Sequence, residues 1–441
     1  MNEQTLRDEV VELTRDLIRV DTSNPPGNET PAAELLAGYL RDAGVEPELV
    51  GPDPDRLNLV ARVPGRGTGP SLMLMAHTDV VPAPAADWTV PPFEGHLEAD
   101  RVIGRGAADM KGELAARAVA VATLARSGEA PPGDVVLVAE ADEERGVSDV
   151  GMSWLVRERP DLRCDFALNE GGGVLLELAH GRRVVTIGVG EKQVASLRVR
   201  VHGRAGHASI PAAAENPLAH ASAAVERLLA HHAPAELNEA SARALGALGA
   251  SSDNADEAIA WAAGQHPLLA DLVPAMLRLT VTPTGLQTSE PANVIPPYAD
   301  VICDVRAMPG QSLDDIVGHV DAALDDAFRY DVEFLEPLAG GTEAPLDTEL
   351  YRTCEGYVAS RVPGAALVPM VSPGFSDSHW VRQAHGTVAY GFAPVFATDV
   401  DAYHRGPHGA DECIEVADLV EMTKFHLHAA RALGARAGAQ G

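Results

Sequence analysis

The hydrophobic pattern of residues 1–186 alternates between helical periodicity and short, uninterrupted apolar runs. Apolar residues recur every three or four positions in the segments predicted to be helices, which are 5–20, 31–43, 112–126 and 147–159. The apolar runs, predicted to be strands, are 57–63, 71–77, 134–140 and 164–170. Continuous apolar strands that alternate with helices predict an α/β fold, with a mostly parallel sheet flanked by helices.

The pattern changes near residue 187, where the strands begin to alternate apolar and polar residues. This alternation predicts strands that are exposed on one face, at 194–203, 277–283, 298–306 and 330–336. With helices predicted at 216–231 and 312–328, the order is β-α-β-β-α-β, which resembles a ferredoxin-like α+β domain. Residues 238–274 add helical material that we expect to enlarge this domain.

The α/β pattern resumes after residue 342 and closes with a helix predicted at 416–434. We therefore predict that one domain is inserted into another. The outer domain comprises residues 1–186 and 339–441, and the inserted domain comprises residues 187–338. The sequence has no internal repeat that would suggest a solenoid or an array instead.

Composition narrows the range of partners and compartments. The 441 residues include 64 Asp and Glu against 34 Lys and Arg, which gives a formal net charge of −30. So acidic a surface repels nucleic acid and anionic membranes, and we predict neither as a partner. The four cysteines form no C-x-x-C pair, the N-terminal segment lacks an apolar signal-peptide core, and no apolar run is long enough to span a membrane. These features predict a cytoplasmic protein.

Polar residues directly follow three of the predicted strands. His77 and Asp79 follow the first, Glu143 and Glu144 the second, and Glu170 the third. In open α/β sheets, ligands bind in the crevice beyond the carboxyl ends of the strands. A histidine and several carboxylates gathered there are suitable ligands for a hard or borderline cation. The sequence therefore predicts a metal site at this edge of the sheet.

The loop GRGAADMKGE (104–113) lies between the first two of these strands. Its glycines suggest a phosphate-binding loop, but no apolar strand precedes them and Asp109 would repel a phosphate. We therefore reject a dinucleotide site and assign Asp109 to the metal, with Lys111 solvated. Glu140 and Asp142, the other carboxylates of AEADEERG, are interpreted as structural or solvated.

Five segments, in order along the chain, resemble the signature segments of the M20 family of metallopeptidases: HTDVVP, GRGAADMKG, EADEERG, NEGGG and HGADE. This family includes carboxypeptidase G, aminoacylase, succinyl-diaminopimelate desuccinylase and acetylornithine deacetylase. The resemblance extends over nearly the whole chain, and the inserted domain corresponds to the family's lid and dimerisation domain. It implies a zinc-peptidase catalytic domain and a homodimer that is joined through the lid.

The resemblance also implies a site for two zinc ions, with Co²⁺ or Mn²⁺ as substitutes. By position, His77 binds the first ion, Asp109 bridges both ions, and Glu170 joins His77. Glu144 and His408 bind the second ion. The three carboxylates and a bridging hydroxide carry four negative charges, which balance two Zn²⁺ in a desolvated cleft.

The same resemblance assigns the neighbouring polar residues. Glu143 is the general base, which takes a proton from the metal-bound water and passes it to the leaving amine. Asp79 orients the imidazole of the first ligand without binding the metal. In the family, the last ligand lies four residues before a Glu, which selects His408 with Glu412; His404 is the alternative.

Four residues are implied on the substrate side. His207, in the lid segment VHGRAGHASIP, stabilises the oxyanion, in many relatives at the active site of the partner subunit. Arg306 grips the substrate carboxylate, or alternatively forms a surface ion pair, and Asn293 lies in a neighbouring family segment. Asp377, in the glycine-rich loop GFSDSHW, is assigned a supporting position near the substrate.

The resemblance, with the residues assigned from it, implies a di-zinc hydrolase that cleaves an amide bond next to a free carboxylate, with a metal-bridging hydroxide and a Glu general base. Its substrates are small molecules, either N-acyl amino acids or short peptides. We favour an N-acyl-amino-acid deacylase, and a carboxypeptidase or dipeptidase of the same family is the alternative. A non-catalytic metal- or peptide-binding protein is more remote, because every ligand position and the base are present.

Overall fold

The computed structural model describes residues 2–146, 148–250, 254–288 and 291–434. Its α-helices, numbered along the chain, are α1 (Glu3–Arg19), α2 (Thr30–Asp42), α3 (Lys111–Ser127), α4 (Met152–Glu158), α5 (Pro217–Ala230), α6 (Glu239–Leu248), α7 (Ala255–Ala263), α8 (Pro267–Leu277), α9 (Leu313–Leu324), α10 (Glu349–Arg361), α11 (Ser378–His385), α12 (Val400–Arg405) and α13 (Val416–Ala432). Its β-strands are β1 (Glu48–Val50), β2 (Asn58–Val63), β3 (Leu72–His77), β4 (His96–Glu98), β5 (Arg101–Ile103), β6 (Val135–Glu140), β7 (Phe166–Asn169), β8 (Leu175–Glu177), β9 (Arg183–Glu191), β10 (Gln193–His202), β11 (Gly206–His207), β12 (Thr280–Gln287), β13 (Val294–Ile295), β14 (Tyr298–Ala307), β15 (Tyr330–Phe334), β16 (Ala339–Gly340), β17 (Ala366–Ser372), β18 (Val388–Gly391) and β19 (Cys413–Glu415).

The larger sheet is mixed, with parallel strands at its centre. Its strand order is β1-β2-β6-β3-β7-β18-β9-β17, and β8 pairs with β9. β3 runs parallel to both β6 and β7, and β18 runs parallel to β7. By contrast, β2 pairs with β6 and β9 pairs with β18 in antiparallel orientation. Every residue of β3 and β6 is buried, as predicted for strands that are covered on both faces.

Helices cover both faces of this sheet. α3 is rich in alanine and almost wholly buried, because it contacts β3 and β6 on one side and α1 and α13 on the other. Successive residues of β3 point to opposite faces: Leu74 joins the core beneath α3, whereas Met73 and Met75 join the core beneath α4 and α11. This architecture confirms the α/β class with flanking helices.

The helix predicted at 147–159 begins later in the structure. The first residue of that range lies outside the described residues, and the helix itself spans Met152–Glu158. Asp149 has a positive φ of 51°, and a Cβ on Gly151 would lie 1.8 Å from the carbonyl oxygen of Ala141. The chain therefore turns back closely against the end of β6 before the helix begins, which apolar periodicity does not reveal.

The smaller sheet has the predicted ferredoxin-like arrangement. Its strand order is β12-β14-β10-β15, with β16 also paired to β10, and the pairs are antiparallel. β10 alternates buried and half-buried residues, as expected of a strand with one exposed face. α5 and α9 cover the other face, where Leu197, Val301 and Ile316 share one core. Apart from three intervening helices and the short strands β11 and β13, the chain follows the predicted β-α-β-β-α-β order.

The intervening helices do not enlarge the smaller domain, as residues 238–274 were expected to do. They form α6, α7 and α8, whose apolar residues share a core with β8, β9 and β17 of the larger sheet. In this core, Leu245 and Leu269 lie with Val184 and Val368. The periodicity of these helices identifies an apolar face but does not show which sheet that face packs against.

The two sheets are joined by consecutive strands. β9 ends at Glu191 in the larger sheet and β10 begins at Gln193 in the smaller one, so the larger sheet continues past the expected border. Lys192, between them, is buried, and its Nζ donates to the carbonyl oxygens of Ala275 (3.0 Å) and Arg278 (2.6 Å). The end of α8 is thereby tied to this connection. The limits of the two domains stay a prediction.

Two observations concern the expected compartment. Among the described residues, no helix combines the length and the apolar character that a membrane span needs. Cys164, Cys303, Cys354 and Cys413 are all buried and unpaired. Burial raises the pKa of the Cys164 thiol to about 11, so this group is protonated at neutral pH and packs as a small apolar side chain.

Candidate metal centre

Three adjacent strands of the larger sheet deliver polar residues to one edge. β6, β3 and β7 are neighbours and run parallel, so their carboxyl ends meet. His77 is the last residue of β3, Glu144 follows β6, and Glu170 directly follows β7. Asp109 comes from the loop before α3, and His408 comes from the loop after α12. The structure thus brings together the five residues that were assigned to the metals.

Asp109 lies between the two histidines. Its Oδ1 is 3.0 Å from His77 Nε2, and its Oδ2 is 3.6 Å from His408 Nε2. Glu170 Oε2 lies 3.6 Å from His77 Nε2, and Glu144 Oε2 lies 2.9 Å from His408 Nε2. Each histidine therefore has a glutamate of its own, and both histidines share the aspartate. A carboxylate that bridges two cations needs this kind of arrangement.

The donor atoms are close enough to hold a cation. The ligand atoms of His77, Asp109 and Glu144 all lie within 4.8 Å of one another, and so do those of His77, Glu143 and Glu170. Glu144 Oε1 is buried and has no hydrogen-bond partner among the described residues, although buried polar atoms ordinarily have one. The shared histidine, the crowded carboxylates and the unpartnered oxygen all fit a metal ion.

The electrostatics of the cluster also favour a cation. Burial raises the pKa of Glu143 well above its usual range, and the charge of Glu170 adds to the effect. Burial likewise raises the pKa of Glu144. Burial alone would lower the pKa of His77, but hydrogen bonds to the neighbouring carboxylates outweigh it and raise this pKa well above its ordinary value. The site therefore attracts positive charge, whether as protons or as metal ions.

The carboxylate of Asp79 holds the backbone of the segment that carries Glu143 and Glu144. Its Oδ1 accepts from the Glu143 N–H and its Oδ2 accepts from the Glu144 N–H, both at 3.2 Å. The expected contact with His77 is made by the Asp79 carbonyl oxygen, 2.9 Å from His77 Nδ1, whereas Oδ1 is 3.6 Å from that nitrogen. The carboxylate is turned away because the two N–H groups need an acceptor.

Glu412 fastens the Asp109 loop in the same way and is fully buried. Its Oε1 accepts from the N–H groups of Ala108 and Asp109, both at 2.8 Å. Its Oε2 accepts from the Gly106 N–H at 3.0 Å and from the Arg105 guanidinium at 2.8 Å. In the sequence, the spacing of Glu412 selects a histidine but does not reveal this anchoring role. One signal was available in the sequence: a buried carboxylate in HGADE that binds no metal needs hydrogen-bond donors from another part of the chain.

The cluster opens into a cleft of about 870 Å³ that is lined from both sheets. Glu143 lines it from the larger sheet and Arg306 lines it from β14 of the smaller one. The Arg306 guanidinium also donates to both carboxylate oxygens of Asp304, at 2.9 and 3.2 Å. Arg145 lines the same cleft and was missed in the sequence, although it directly follows Glu144. Arg382 lines the cleft as well, and its guanidinium pairs with Glu191, so three arginines border the space that a substrate would enter.

His207 and Asn293 lie together but outside this cleft. In the pair of strands β11 and β13, His207 is opposite Val294, and the Ala208 N–H donates to the Asn293 carbonyl oxygen at 3.0 Å. Both His207 and Asn293 are exposed, and neither is among the residues that line the cleft. Within one chain the structure does not bring them to the metal cluster, so their assigned roles stay predictions.

Four polar residues near the cluster are buried, which differs from or narrows what was expected of each. Asp377 is buried and does not line the cleft; burial and the charge of Glu140 raise its pKa well above its usual range. Lys111, which was expected to be solvated, is wholly buried, and its Nζ donates to the Val20 carbonyl oxygen at the end of α1, at 2.7 Å. Glu140 and Asp142 are buried, so they are structural rather than solvated.

The two histidines of YHRGPHGADE lie in different surroundings. His408 faces Glu144 and Asp109, as described above. His404 is exposed on α12, and none of the ion pairs between described residues includes it. The geometry therefore favours His408, which the spacing to Glu412 selects.

Known proteins resemble this chain along most of its length. The model of peptidase family M20/M25/M40 matches residues 73–432. A succinyl-diaminopimelate desuccinylase of Gluconacetobacter diazotrophicus is 29% identical over 426 residues, 94% of this chain and 94% of that protein. The human N-fatty-acyl-amino acid synthase/hydrolase PM20D1 is 29% identical over 384 residues, 82% of this chain and 74% of that protein. The M20 family metallo-carboxypeptidase Sso-CP2 from Sulfolobus solfataricus superposes with a TM-score of 0.73, at 18% identity, over 96% of this chain and 99% of that one.

The fold and the cluster at the strand ends define a class, the metallohydrolases that act on C–N bonds. Within this class, the chain belongs to peptidase family M20/M25/M40, whose model covers most of its length. The resemblance seen in the five signature segments is thereby confirmed. The predictions that the chain is a hydrolase, and that it carries candidate metal ligands at this edge of the sheet, are confirmed with it.

Proposed function

We propose that the protein is a di-zinc hydrolase that cleaves an amide bond next to a free carboxylate. The proposal depends mainly on Asp109, whose two oxygens face two histidines that each have a glutamate of their own. His77 and Glu170 would hold one ion, and Glu144 and His408 would hold the other. Imidazole and carboxylate ligands suit Zn²⁺, and Co²⁺ or Mn²⁺ would be workable substitutes.

When bound, the two ions would polarise the substrate carbonyl and lower the pKa of a water molecule to about 7. Glu143 then acts as the general base. Its carboxylate lines the cleft, and in the metal-free protein burial and the charge of Glu170 raise its pKa. The carboxylate takes the proton of the attacking water and donates it to the nitrogen of the leaving amine. Asp79 holds the backbone of Glu143, which keeps the base in place between the two transfers.

The substrate is a small molecule with a free carboxylate, which Arg306 would bind from the smaller sheet. We favour an N-acyl-amino-acid deacylase, because two relatives are named as a desuccinylase and as an N-fatty-acyl-amino acid synthase/hydrolase. The resemblance of the fold to a metallo-carboxypeptidase supports the alternative, a carboxypeptidase or dipeptidase. Both activities use the same metals and the same base, so the leaving group distinguishes them.

We also propose a homodimer joined through the smaller domain, in which His207 and Asn293 reach the cleft of the second copy. Both residues are exposed outside their own cleft, and β12 forms the edge of the smaller sheet, where Leu286 is 47% exposed. There His207 would donate to the oxyanion. Light scattering measures the assembly, and a fully active monomer would contradict it. The proposed compartment is the cytoplasm, which the four unpaired thiols support.

The first experiment combines metal analysis with a base variant. The purified protein should contain about two zinc ions per chain and should hydrolyse members of a panel of N-acyl amino acids and dipeptides. Glu143→Gln keeps the shape of the side chain but removes the base, so kcat should fall about 10²–10⁴-fold while the zinc content stays the same. The matched control is Glu336→Gln, a change in a cleft residue that contacts Ser196 and no metal ligand.

Each outcome of this experiment selects one reading. Full activity of Glu143→Gln would exclude the proposed mechanism. Hydrolysis of dipeptides without hydrolysis of N-acyl amino acids would select the peptidase alternative. Zinc binding without hydrolysis of any substrate in the panel would select a non-catalytic metal- or peptide-binding protein.

A further inference from the structure

A chain of buried polar groups connects the loop between α1 and α2 to the segment that carries the base. The loop contributes Asn24, 3% exposed, and Glu29, fully buried. Arg56, 6% exposed, precedes β2, and Asp142, 4% exposed, follows β6. The mechanism proposed above uses none of these four residues. Buried polar groups in such a network are expensive to maintain unless every member is satisfied, so their presence needs an explanation.

Asn24 joins two carboxylates that flank the base. Its Nδ2 donates to Asp79 Oδ2 at 2.9 Å and to Asp142 Oδ1 at 2.9 Å. The backbone of Asn24 is itself fixed, because its N–H donates to the Val80 carbonyl oxygen at 2.8 Å. One neutral amide therefore spans two buried negative charges and uses both hydrogens of its nitrogen to do so.

Arg56 supports the other end of the network. Its Nε and one terminal nitrogen donate to the two carboxylate oxygens of Glu29, at 2.9 and 2.5 Å. The same terminal nitrogen lies 3.1 Å from Asp142 Oδ1, and the second terminal nitrogen donates to Ser148 Oγ at 2.8 Å. Asp142 Oδ2 accepts from the Ser148 N–H at 2.6 Å. The guanidinium thus fixes both ends of the turn that follows β6.

The network ends at the backbone of the base and of a metal ligand. Asp79 accepts one hydrogen bond from Asn24 and one from each of the N–H groups of Glu143 and Glu144. Asp142, directly before Glu143 in sequence, has a positive φ of 65°, which a residue other than glycine keeps only when its surroundings hold it. The Asp142 side chain is held by Asn24, the Arg56 guanidinium and the Ser148 N–H.

We propose that Asn24 and Arg56 are positioning residues, which fix the directions of the Glu143 and Glu144 side chains through Asp79 and Asp142. The inference rests on the proposed function of these two glutamates. Because both glutamates are held through the same pair of carboxylates, a loss of the network should displace them together. Metal affinity, which depends on Glu144, and kcat, which depends on Glu143, should therefore decline in parallel.

The test compares Asn24→Ala and Arg56→Lys with Arg361→Lys. Arg361 forms a two-pronged ion pair with Glu421, at 2.5 and 2.7 Å, between α10 and α13 and away from the metal ligands. Asn24→Ala should lower kcat and zinc affinity each by about 10–100-fold, with KM nearly unchanged. Arg56→Lys keeps the charge and one donor group, so its effect should be in the same direction and smaller. Arg361→Lys should change neither quantity.

The absorption spectrum of the cobalt-substituted protein provides a readout that does not require catalysis. A change in ligand direction should alter the visible bands in Asn24→Ala and leave them unaltered in Arg361→Lys. If Asn24→Ala fails to fold, Asn24→Ser, which keeps one short donor, takes its place with the same expectations. Urea unfolding of each variant separates the loss of stability from the loss of positioning.

A lower unfolding midpoint combined with wild-type kcat, zinc affinity and cobalt spectrum in both network variants would overturn the inference and leave the network a purely structural role. Parallel loss of kcat and zinc affinity supports it. Failure of the proposed function has a different signature, since Glu143→Gln would then stay active. In that case the zinc affinity and the cobalt spectrum still decide whether Asn24 and Arg56 position the metal ligand.

Discussion

The larger and the smaller sheet carry their buried and half-buried charges in opposite arrangements. On the smaller sheet, charges of opposite sign are paired: Arg200 donates to both oxygens of Asp300 at 2.8 Å, and Arg198 meets Glu333 at 2.6 Å. At the edge of the larger sheet, several carboxylates crowd together and share two histidines. The first arrangement is neutral by itself, and the second becomes neutral only with added positive charge.

The comparison separates charged groups that stabilise the fold from charged groups that form a binding site. Paired charges need no further partner, whereas crowded carboxylates oppose folding and persist where other contacts impose their positions. Here those contacts go to the backbone: Asp79 holds the segment with Glu143 and Glu144, and Glu412 holds the Asp109 loop. These contacts hold the two segments that carry Asp109, Glu143 and Glu144.

Of the changes that test this contrast, removal of the metal should have the largest effect on activity and stability. Complete chelation should abolish hydrolysis and lower the melting temperature, because the crowded carboxylates lose their counter-charge. In the folded metal-free protein, burial raises the pKa values of Glu143 and Glu144, and it raises that of Glu140 from 4.5 to about 8. The folded state then binds protons more tightly than the unfolded chain, so stability should fall as pH rises between these two values.

Differential scanning calorimetry with and without a chelator, at about pH 5.5 and about pH 8, measures this effect. The zinc-loaded protein is the control, since its ligands are already ionised and its stability should depend less on pH across this range. A metal-free protein that is more stable at the higher pH would show that crowding does not dominate the electrostatics of the larger sheet.

Weakening the contact between Glu412 and the backbone of the Asp109 loop should have a smaller effect, which is on zinc affinity. Glu412→Gln keeps the shape of the side chain but replaces one acceptor oxygen with a donor, which would face donors of the Asp109 loop. We expect zinc affinity to fall about 10–100-fold, as measured by competition with a chelating dye. Glu421→Gln, a change at a residue that pairs with Arg361, is the control. Unchanged affinity in Glu412→Gln would mean that the loop holds Asp109 without this anchor.

The smallest effect should come from the smaller domain and should have the opposite pH dependence. Burial, with the charges of His231 and His232, lowers the pKa of His319 from 6.5 to about 4. The unfolded chain then binds the proton more tightly, so stability should fall as pH decreases between these values. His319→Leu removes this titrating imidazole and should reduce the loss of unfolding free energy in acid by about 1–3 kcal/mol, as measured by urea unfolding.

The control is the unaltered protein, unfolded in urea over the same pH range. If His319→Leu lost stability towards acid as steeply as the unaltered protein, burial of this imidazole would not contribute.

The sequence predicts where the candidate metal ligands lie because their signal is local. His77, Glu144 and Glu170 each stand just beyond an apolar run, and parallel neighbouring strands bring such positions to one edge. The same reasoning applies to the alternation of helices and strands, which gives the class of both sheets. In each of these cases, the pattern within one segment is enough to predict the structure of that segment.

Contacts between distant segments are not encoded in this way. The sequence does not show that the Asp79 carboxylate faces the backbone of Glu143 rather than His77, or that Asn24 reaches it from the first loop. Likewise, the periodicity of α6–α8 identifies an apolar face but not the sheet beneath it. Hydrogen-bond partners and packing partners depend on where the chain returns, which requires the folded structure.

The position of α6–α8 has a consequence for recombination between relatives. An inserted domain whose chain enters and leaves once can be exchanged as a single cassette. Here the chain leaves the smaller sheet after α5, packs on the larger sheet, and returns at β12. Exchanging residues 193–340 as one block would also remove the cover of Val184, Val368 and Met370. A viable graft therefore consists of two separate pieces, with 239–277 kept from the recipient.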